Sequence, residues 1–586
     1  MFLATTANQL YWKKDEKIMF LGEWCKLYDQ KHVWGNLSHE TLPHHWENRE
    51  KLHQDYLYCE SVYEKLLQQL GGQLNQIHGV DHSSRYWRIV IGHWLFYFVS
   101  AIYDRYLSLK AAIDSELITN TWFPPFKPGV GVCADYLAFH NRFFLDDNYN
   151  LFVFSKIAHK LKGLHFETKG DLLQLKELGH EKTFQSEGFL REITTKLLRF
   201  YSKCVSNCSN DIVFANSYLA PTDLVRLQLS LGQVPYLRIP KIHSDQSLPD
   251  FKIRDNLKSP LIDNEFESLL NDMLVELIPA CFVEGYANIK QNALEAFPKS
   301  PKAIFTANCV SDEGLKFWVA FNVEKGAKLI ATQHGGGYGS HLWSFFETHE
   351  TKISDKYLTW GWVTKGSPSI APAASGKLSY AKRKMTQDPK GPILWLNYSL
   401  PRYARIHISD LLGPQMPVYL QEQIRFFRTV SAKAREFLLL RLYMHDYGWS
   451  ERERWKDIDP LIKLDQGKLS FYEQVNNSRL CVSTYNSTTY LEVFVANVPT
   501  ILFWNPSYEE VRASVRSYFD DLRRVGILHD TPESAAEKVN AVYEDPMSWW
   551  MSPELQQAKD RFCYQFARKS KNWLAEWKEE LLKIDQ

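Results

Sequence analysis

Two histidines stand where α/β proteins expose reactive groups. The stretch Ala331-Thr332-Gln333-His334-Gly335-Gly336-Gly337-Tyr338-Gly339 follows the apolar run AKLI, so the pattern predicts a buried strand that ends at an imidazole beside bare backbone. Glycine admits positive φ and lets a ligand approach backbone amides closely. His334 is therefore a candidate general base on a hydroxyl group, or a hydrogen-bond donor to substrate. The competing reading is a structural histidine beside a tight turn. Gln333, Gly335, Gly336 and Tyr338 are the accompanying substrate-binding candidates. Asp312 and Glu313 follow the preceding strand, AIFTAN. Either suits a base or a carboxylate nucleophile, and either equally suits a helix start, where acids favour the dipole.

The second centre is Ser483-Thr484-Tyr485-Asn486-Ser487-Thr488-Thr489-Tyr490-Leu491-Glu492, between an apolar strand and a helix. Free amides and the dipole at a helix N-terminus both favour an anion. Ser487, Thr488 and Thr489 are thus candidate phosphate ligands, Asn486 is a further nucleotide-binding candidate, and Glu492, one turn in, can accept hydrogen bonds from ribose hydroxyls. A polar helix cap is the plainer alternative. Arg441 and His445, in RLYMHDYGW, end another strand of the same region. His445 can donate to a phosphate or to a leaving oxygen, or form a surface pair with Asp446. Asp457-Ile458-Asp459 has DxD spacing but follows the polar ERERWK. The chain contains no HExxH, Walker loop, GxGxxG or GxSxG, so neither a metal nor another cofactor is expected.

These residues need parallel strands to hold them. DIVFAN, the helix TDLVRLQLSLG and VPYLRIP read as a βαβ unit; AIFTAN, KLIATQ and KYLTWGW continue it. Residues 366–390, rich in Ser, Pro, Ala, Gly and Lys, read as a linker. GPILWLNYSL, a helix from about Pro417 to Glu436, FLLLRLYMHDYGW, LCVST and PTILFW form a second α/β region. Before both come the strands MFLATTA and KIMFLGEW, a helical stretch from about Trp46 to Ala112 broken at Gly71-Gly72 and near Gly79, and the helix FLREITTKLLRFYSKC. Paired doubly wound domains put a ligand between their strand ends.

Composition narrows the function. At 586 residues, the chain is long enough for two large domains. With 69 basic and 68 acidic residues, net charge +1, it has no overall field for nucleic acid or an anionic membrane. The nine scattered cysteines include no CxxC; the closest pair is Cys204 and Cys208, which fits a reduced cytoplasmic chain. The N-terminus lacks a cationic leader, and Ile89–Tyr103 is shorter than the ~20 residues of a spanning helix and is flanked by charges. It is expected to be a core helix.

FLATTA, HSSRYWRIVIGHWLFYF, SDEGLKFW, TQHGGGYG, LTWGW, RLYMHDYGW and STYNSTTYLE, in this order, resemble a family of transferases from bacterial O-antigen and surface-polysaccharide clusters. The C-terminal half also resembles the nucleotide-binding domain of GT-B glycosyltransferases that use CMP-activated ulosonic acids such as Kdo. There a histidine at a strand end and a Ser/Thr-rich helix start hold the CMP; His445 and Ser487, Thr488 and Thr489 match by position, with Asp446 where many relatives have proline. A shorter similarity, to teichoic-acid glycerophosphotransferases, implies a CDP-linked donor instead. The resemblance implies an α/β, GT-B-like protein of two Rossmann-like doubly wound domains: residues 1–365, the acceptor side with a helical elaboration, and 391–586, the nucleotide side, its last helix crossing back. It implies a cytoplasmic, metal-independent glycosyltransferase with a nucleotide-sugar donor and a lipid-linked or oligosaccharide acceptor. No nucleic-acid partner is expected, and at most a peripheral contact with the inner face of the membrane. A non-catalytic scaffold of the same shape is the alternative.

Overall fold

A computed structural model of the chain describes residues 1–175, 211–236, 240–242, 244, 247–258, 263–310 and 312–583. FLREITTKLLRFYSKC and the Cys204/Cys208 pair lie outside them, as does part of VPYLRIP, whose described residues form no strand.

The described residues form an α/β fold of three parallel five-stranded sheets. The first has the order β3-β2-β1-β4-β5, from β1 (Phe2–Ala4), β2 (Ile18–Phe20), β3 (His39–Thr41), β4 (Asn120–Phe123) and β5 (Phe166–Thr168). The second has the order β10-β9-β8-β7-β6, from β6 (Ile212–Ala215), β7 (Ala303–Thr306), β8 (Lys328–Thr332), β9 (Lys356–Thr359) and β10 (Ile370–Pro372). The third has the order β12-β11-β13-β14-β15, from β11 (Ile393–Leu396), β12 (Leu438–Arg441), β13 (Leu480–Ser483), β14 (Thr500–Phe503) and β15 (Leu528–His529). The two Rossmann-like sheets expected for a GT-B-like chain are the second and third. The additional N-terminal sheet is completed by β4, which runs into the proline-containing WFPPF segment, and by β5, both short strands that carry little alternating signal.

The helical stretch is an antiparallel pair, Arg49–His78 and Ser84–Asp114. The first helix runs through Gly71-Gly72 instead of breaking there. A Cβ on Gly71 would lie 2.9 Å from Trp87 Cδ1, so this glycine serves close helix packing. The break falls at Gly79, whose φ of 62° makes it a left-handed cap. Ile89–Tyr103 lies within the second helix and is buried almost throughout; among the described residues no helix is long and apolar enough to cross a membrane. Residues 366–390, expected as a linker, contain β10 and the helix Gly376–Lys384.

The sheets are joined by a buried loop. The connection from β11 to the helix Met416–Thr429 leaves the third sheet and enters the N-terminal body. Its carbonyls find donors there: Arg105 Nη1 donates to Ala404 O (2.7 Å) and Arg49 Nη2 to Asp410 O (3.0 Å). Arg402 pairs with Asp147 at 2.7 Å, and Tyr403 Oη donates to the same carboxylate. Arg105 is also paired with Asp104 at 2.7 Å, both fully buried, while His44 and His45 face the other Asp104 oxygen. The C-terminal helix Trp573–Leu582 returns to the second sheet, where Trp577 Nε1 donates to Ala374 O and packs on Phe305.

Removing one member of a buried ion pair leaves the other charge uncompensated. Arg105→Met is expected to lower the unfolding free energy by about 3–5 kcal/mol, measured by urea titration; a loss below about 1 kcal/mol would contradict this role for the pair.

Candidate functional site

The carboxyl ends of the second and third sheets meet across a seam. Beyond β8 the chain turns through Gly337 and Gly339, at φ 83° and 71°. Gly336 N donates to Thr488 Oγ1 at 2.9 Å, and a Cβ on Gly336 would lie 2.4 Å from Ser487 C. The glycine thus admits the facing lobe's backbone. Farther along, Leu342 N donates to Glu510 O and Arg512 N to Ser340 O, an antiparallel bridge between the lobes. Arg512 also pairs with Glu347 at 2.6 Å.

His334 sits at the edge of this seam. Burial, reinforced by the charge of Lys377, pushes its imidazole down to about 4, and a hydrogen bond to the Ala307 backbone opposes the shift. The ring is neutral at pH 7. Its Nδ1 lies 3.5 Å from both Tyr338 Oη and Glu350 Oε1. Glu350 accepts hydrogen bonds from Tyr338 Oη (3.0 Å) and Tyr357 Oη (2.8 Å), and burial raises it to about 8. A protonated carboxyl group therefore stands behind the histidine. On its other side the ring meets Tyr218 edge-on at 5.8 Å. Tyr218 and Asn216 hold left-handed backbone, φ 57° and 49°, a conformation common for asparagine and uncommon for tyrosine. Asn308 ties this loop down, accepting from Asn216 and donating to Tyr218 Oη at 3.2 Å.

On the facing lobe the helix Thr488–Ala496 begins at Ser487 without a side-chain cap. The strand order reverses between β11 and β13, so the crevice of this sheet opens beside that helix. Tyr485 stacks on Tyr398 at 4.9 Å, and its hydroxyl meets Thr489 Oγ1 at 2.7 Å. Glu492 pairs with Lys377 at 3.1 Å, and burial raises its carboxyl above the ordinary range. Near it lies a small, open pocket lined by Tyr398, Asp410, Tyr485, Trp504, Tyr508 and Glu509. Burial and the neighbouring Asp410 hold the Glu509 carboxyl well above its usual range.

His334, Gly335, Gly336, Ser487, Thr488, Thr489 and Glu492 thus come together. Other candidates are engaged elsewhere. Gln333 is buried, its amide donating to Gly335 O and accepting from Trp360 N and Trp362 Nε1. Tyr338 is buried against Glu350. Asn486 accepts from Tyr490 Oη at 2.9 Å. Arg441 pairs with Asp465 at 2.7 Å. Asp312 caps the helix Glu313–Glu324 through Leu315 N, and Glu313, raised to about 7 by burial, pairs with Lys316 at 2.8 Å. His445 is exposed, 6.0 Å from Tyr443 and Tyr447. Tyr218, Glu350 and Lys377 were not singled out from the sequence. Only the strand-end position of Tyr218, just after DIVFAN, offered a signal.

A methyl group at Gly336 is expected to part the seam, whereas Gly72, with nothing within 4 Å of its added Cβ, should tolerate alanine. Gly336→Ala should lower the melting temperature by several degrees, and Gly72→Ala should leave it unchanged or raise it by the ~1 kcal/mol of better helix propensity. Equal effects would remove the packing argument. Glu350 provides a pH test. Its folded value, about 8, lies above its unfolded value, so the folded state binds the extra proton and stability falls as pH rises from ~4.5 to about 8. Glu350→Gln should flatten that decline, on the order of 4 kcal/mol, in melts taken at pH 5 and 8.

The family model described as LIC12162 family transferase matches residues 1–581. No curated protein matches the chain. Among solved structures, Anabaena HepE in complex with UDP-glucose is similar, with a TM-score of 0.32 and 9% identity over 64% of this chain and 99% of that one. Acinetobacter baumannii MurG gives 0.29 and 12% over 51% and 78%. WaaG, a glycosyltransferase involved in lipopolysaccharide biosynthesis, gives 0.26 and 9% over 50% and 94%.

Proposed function

From its membership of the LIC12162 family of transferases, we propose that this chain moves a glycosyl group from a nucleotide-activated donor to a glycan hydroxyl in surface-polysaccharide biosynthesis. The observation that carries the reading is the meeting of His334 with the uncapped start of the Thr488 helix across the Gly336–Thr488 contact. The helix amides and dipole suit the donor phosphate and stabilise the charge that develops as the nucleotide departs. Ser487, Thr488 and Thr489 supply hydroxyls, and Glu492, steadied by Lys377, is the ribose ligand. In this reading residues 391–586 hold the nucleotide and residues 1–365 the acceptor, and the protein works in the cytoplasm at the inner face of the membrane. The donor class we favour, a CMP-linked ulosonic acid, rests on the sequence resemblance around His445 and residues 487–489.

His334 is the proposed base. A neutral imidazole that donates to the Ala307 backbone keeps a lone pair on its other nitrogen, and that lone pair takes the acceptor hydroxyl's proton as the new glycosidic bond forms and the donor's bond to the nucleotide phosphate breaks. Glu313 is enclosed with Lys316 and Asp312 caps a helix, which favours a single inverting displacement over a covalent intermediate.

Calorimetry with CMP, CDP, UDP and GDP, followed by transfer assays with the nucleotide-sugar that binds, tests this. CMP should bind most tightly. His334→Ala should retain nucleotide affinity while transfer falls about 10²–10⁴-fold, the usual contribution of a general base. A preference for CDP would instead support a polyol-phosphate donor. Binding of none of the four would leave the scaffold reading, and unimpaired transfer by His334→Ala would remove the histidine from the chemistry.

A further inference from the structure

The short turn before the helix Arg49–His78 brings two adjacent histidines onto one buried carboxylate. His44 Nε2 lies 3.0 Å and His45 Nε2 3.4 Å from the same oxygen, Oδ1, of Asp104 on the helix Ser84–Asp114. The three side chains are 4%, 8% and 2% exposed. The imidazole rings lie 4.2 Å apart, tilted by 33°, and one ligand atom from each of the three side chains falls within 4.8 Å of the others. Among the described residues no other group of three histidine, cysteine or acidic side chains converges in this way. Hydrogen bonding accounts for only part of the cluster. His44 Nε2 is bonded to Asp104, whereas His45 Nε2 is buried without a hydrogen bond. A buried ring nitrogen left unpaired is rare enough to need a physical reason.

The spacing is that of a coordination shell. Zinc holds imidazole nitrogen and carboxylate oxygen at ~2.0–2.2 Å in a tetrahedron, which sets neighbouring ligand atoms ~3.3–3.5 Å apart. The carboxylate is already oriented for this. Arg105 Nη1 donates to its other oxygen, Oδ2, at 2.7 Å, and the remaining guanidinium donors go to Asn150 Oδ1, Ala404 O and Phe143 O. Oδ1 is therefore left to the two histidines. A ligating carboxylate whose second oxygen is hydrogen-bonded is the usual outer-shell arrangement of a metal site. His44 Nδ1 accepts from Trp46 N at 3.4 Å. Moving the His44 proton from Nε2 to Nδ1 gives up that long bond and frees Nε2 to ligate. The ligands stand 60 residues apart in the chain, so no short motif announces them.

We propose that His44, His45 and Asp104 bind one zinc-type divalent ion, with water completing the tetrahedron. The ion is a clamp. His45 precedes Trp46, whose carbonyl accepts from Gln415 Nε2 at 3.2 Å and whose ring packs on His407 at 4.4 Å. Asp104 precedes Arg105, which holds Ala404 O. Both ligand segments thus grip the connection that leaves β11, and the ion ties them to each other. None of the three residues is assigned to donor or acceptor, so the site is structural and stands independently of the glycosyl-transfer reading.

The test takes the full chain, strips it by dialysis against EDTA and titrates it with zinc, and separately with magnesium, by calorimetry, with thermal melts alongside. Wild type should take up one zinc per chain and melt several degrees higher with it, and magnesium should do neither. His45→Ala removes the nitrogen that lacks a hydrogen bond. It should weaken zinc binding about 100-fold, the upper end of what losing an outer-shell partner costs, and should melt like stripped wild type whether or not zinc is added. His32→Ala, at an exposed histidine, should behave as wild type. Absence of zinc uptake, equal uptake by wild type and His45→Ala, loss of uptake in His32→Ala, or a magnesium response equal to that of zinc each overturns the site. Zinc uptake through His45 with no rise in melting temperature overturns the clamp. Should His45→Ala fail to fold, wild type decides: identical melts with zinc and with EDTA overturn the proposal, and a zinc-dependent rise that magnesium does not reproduce supports it.

Discussion

The architecture depends on a loop that is buried when most loops are not. Connections normally stay at the surface because their backbone groups need water. The link from β11 into the Met416–Thr429 helix is instead threaded into the N-terminal body, and long cationic side chains there replace the solvent. Arg105 and Arg49 donate to its carbonyls, Ser100 faces His407, and Arg402 projects back onto Asp147. The Arg105–Asp104 pair adds little attraction beyond its own desolvation. Its value is positional, since a guanidinium fixed by Asp104 and Asn150 aims its remaining donors at Ala404 O and Phe143 O. The third sheet is thereby held to the first, and the first strand-end loop of the C-terminal lobe becomes part of the opposite wall.

The second constraint is the absence of side chains at the seam. The lobes approach so closely at Gly336 that backbone meets backbone, and the short antiparallel bridge at 340–342 and 510–512 continues the contact. His334 is consequently positioned by two kinds of restraint at once: the strand behind it, with the Tyr338–Glu350–Tyr357 group, and the facing helix in front. That double restraint explains how a histidine on a glycine-rich turn keeps one geometry. The same packing withdraws it from water, which is why it stays neutral.

Legibility of the sequence followed local signal. Strands such as LCVST and PTILFW and the helices between them were readable from apolar runs and turn residues, and so was the convergence of TQHGGGYG with STYNSTTYLE at strand ends. The N-terminal sheet was half visible: β1 and β2 are apolar, but β4 and β5 are completed by pairing with strands far away in the chain. Gly71 was misleading because a helix-breaking residue there serves a tryptophan on the neighbouring helix. The role of the GGG run was also hidden, since the same conformational freedom suits a ligand or a second lobe, and only the three-dimensional neighbour decides. Glu350 and Lys377 carry no motif; their chemistry comes from burial and from neighbours distant in sequence. Asp457, in the DxD at 457–459, pairs on the surface with Lys31.

The threaded loop also sets an order in time. Arg105 and Ala404 are 299 residues apart, and Arg402 and Asp147 are 255 apart. During synthesis the N-terminal body emerges with a groove whose buried charges have no cover until the β11 connection leaves the ribosome. Contacts of such long separation close late, after large loop entropy has been lost. The nascent N-terminal half therefore exposes surface of the kind that favours aggregation until the C-terminal lobe's own first loop arrives to cover it.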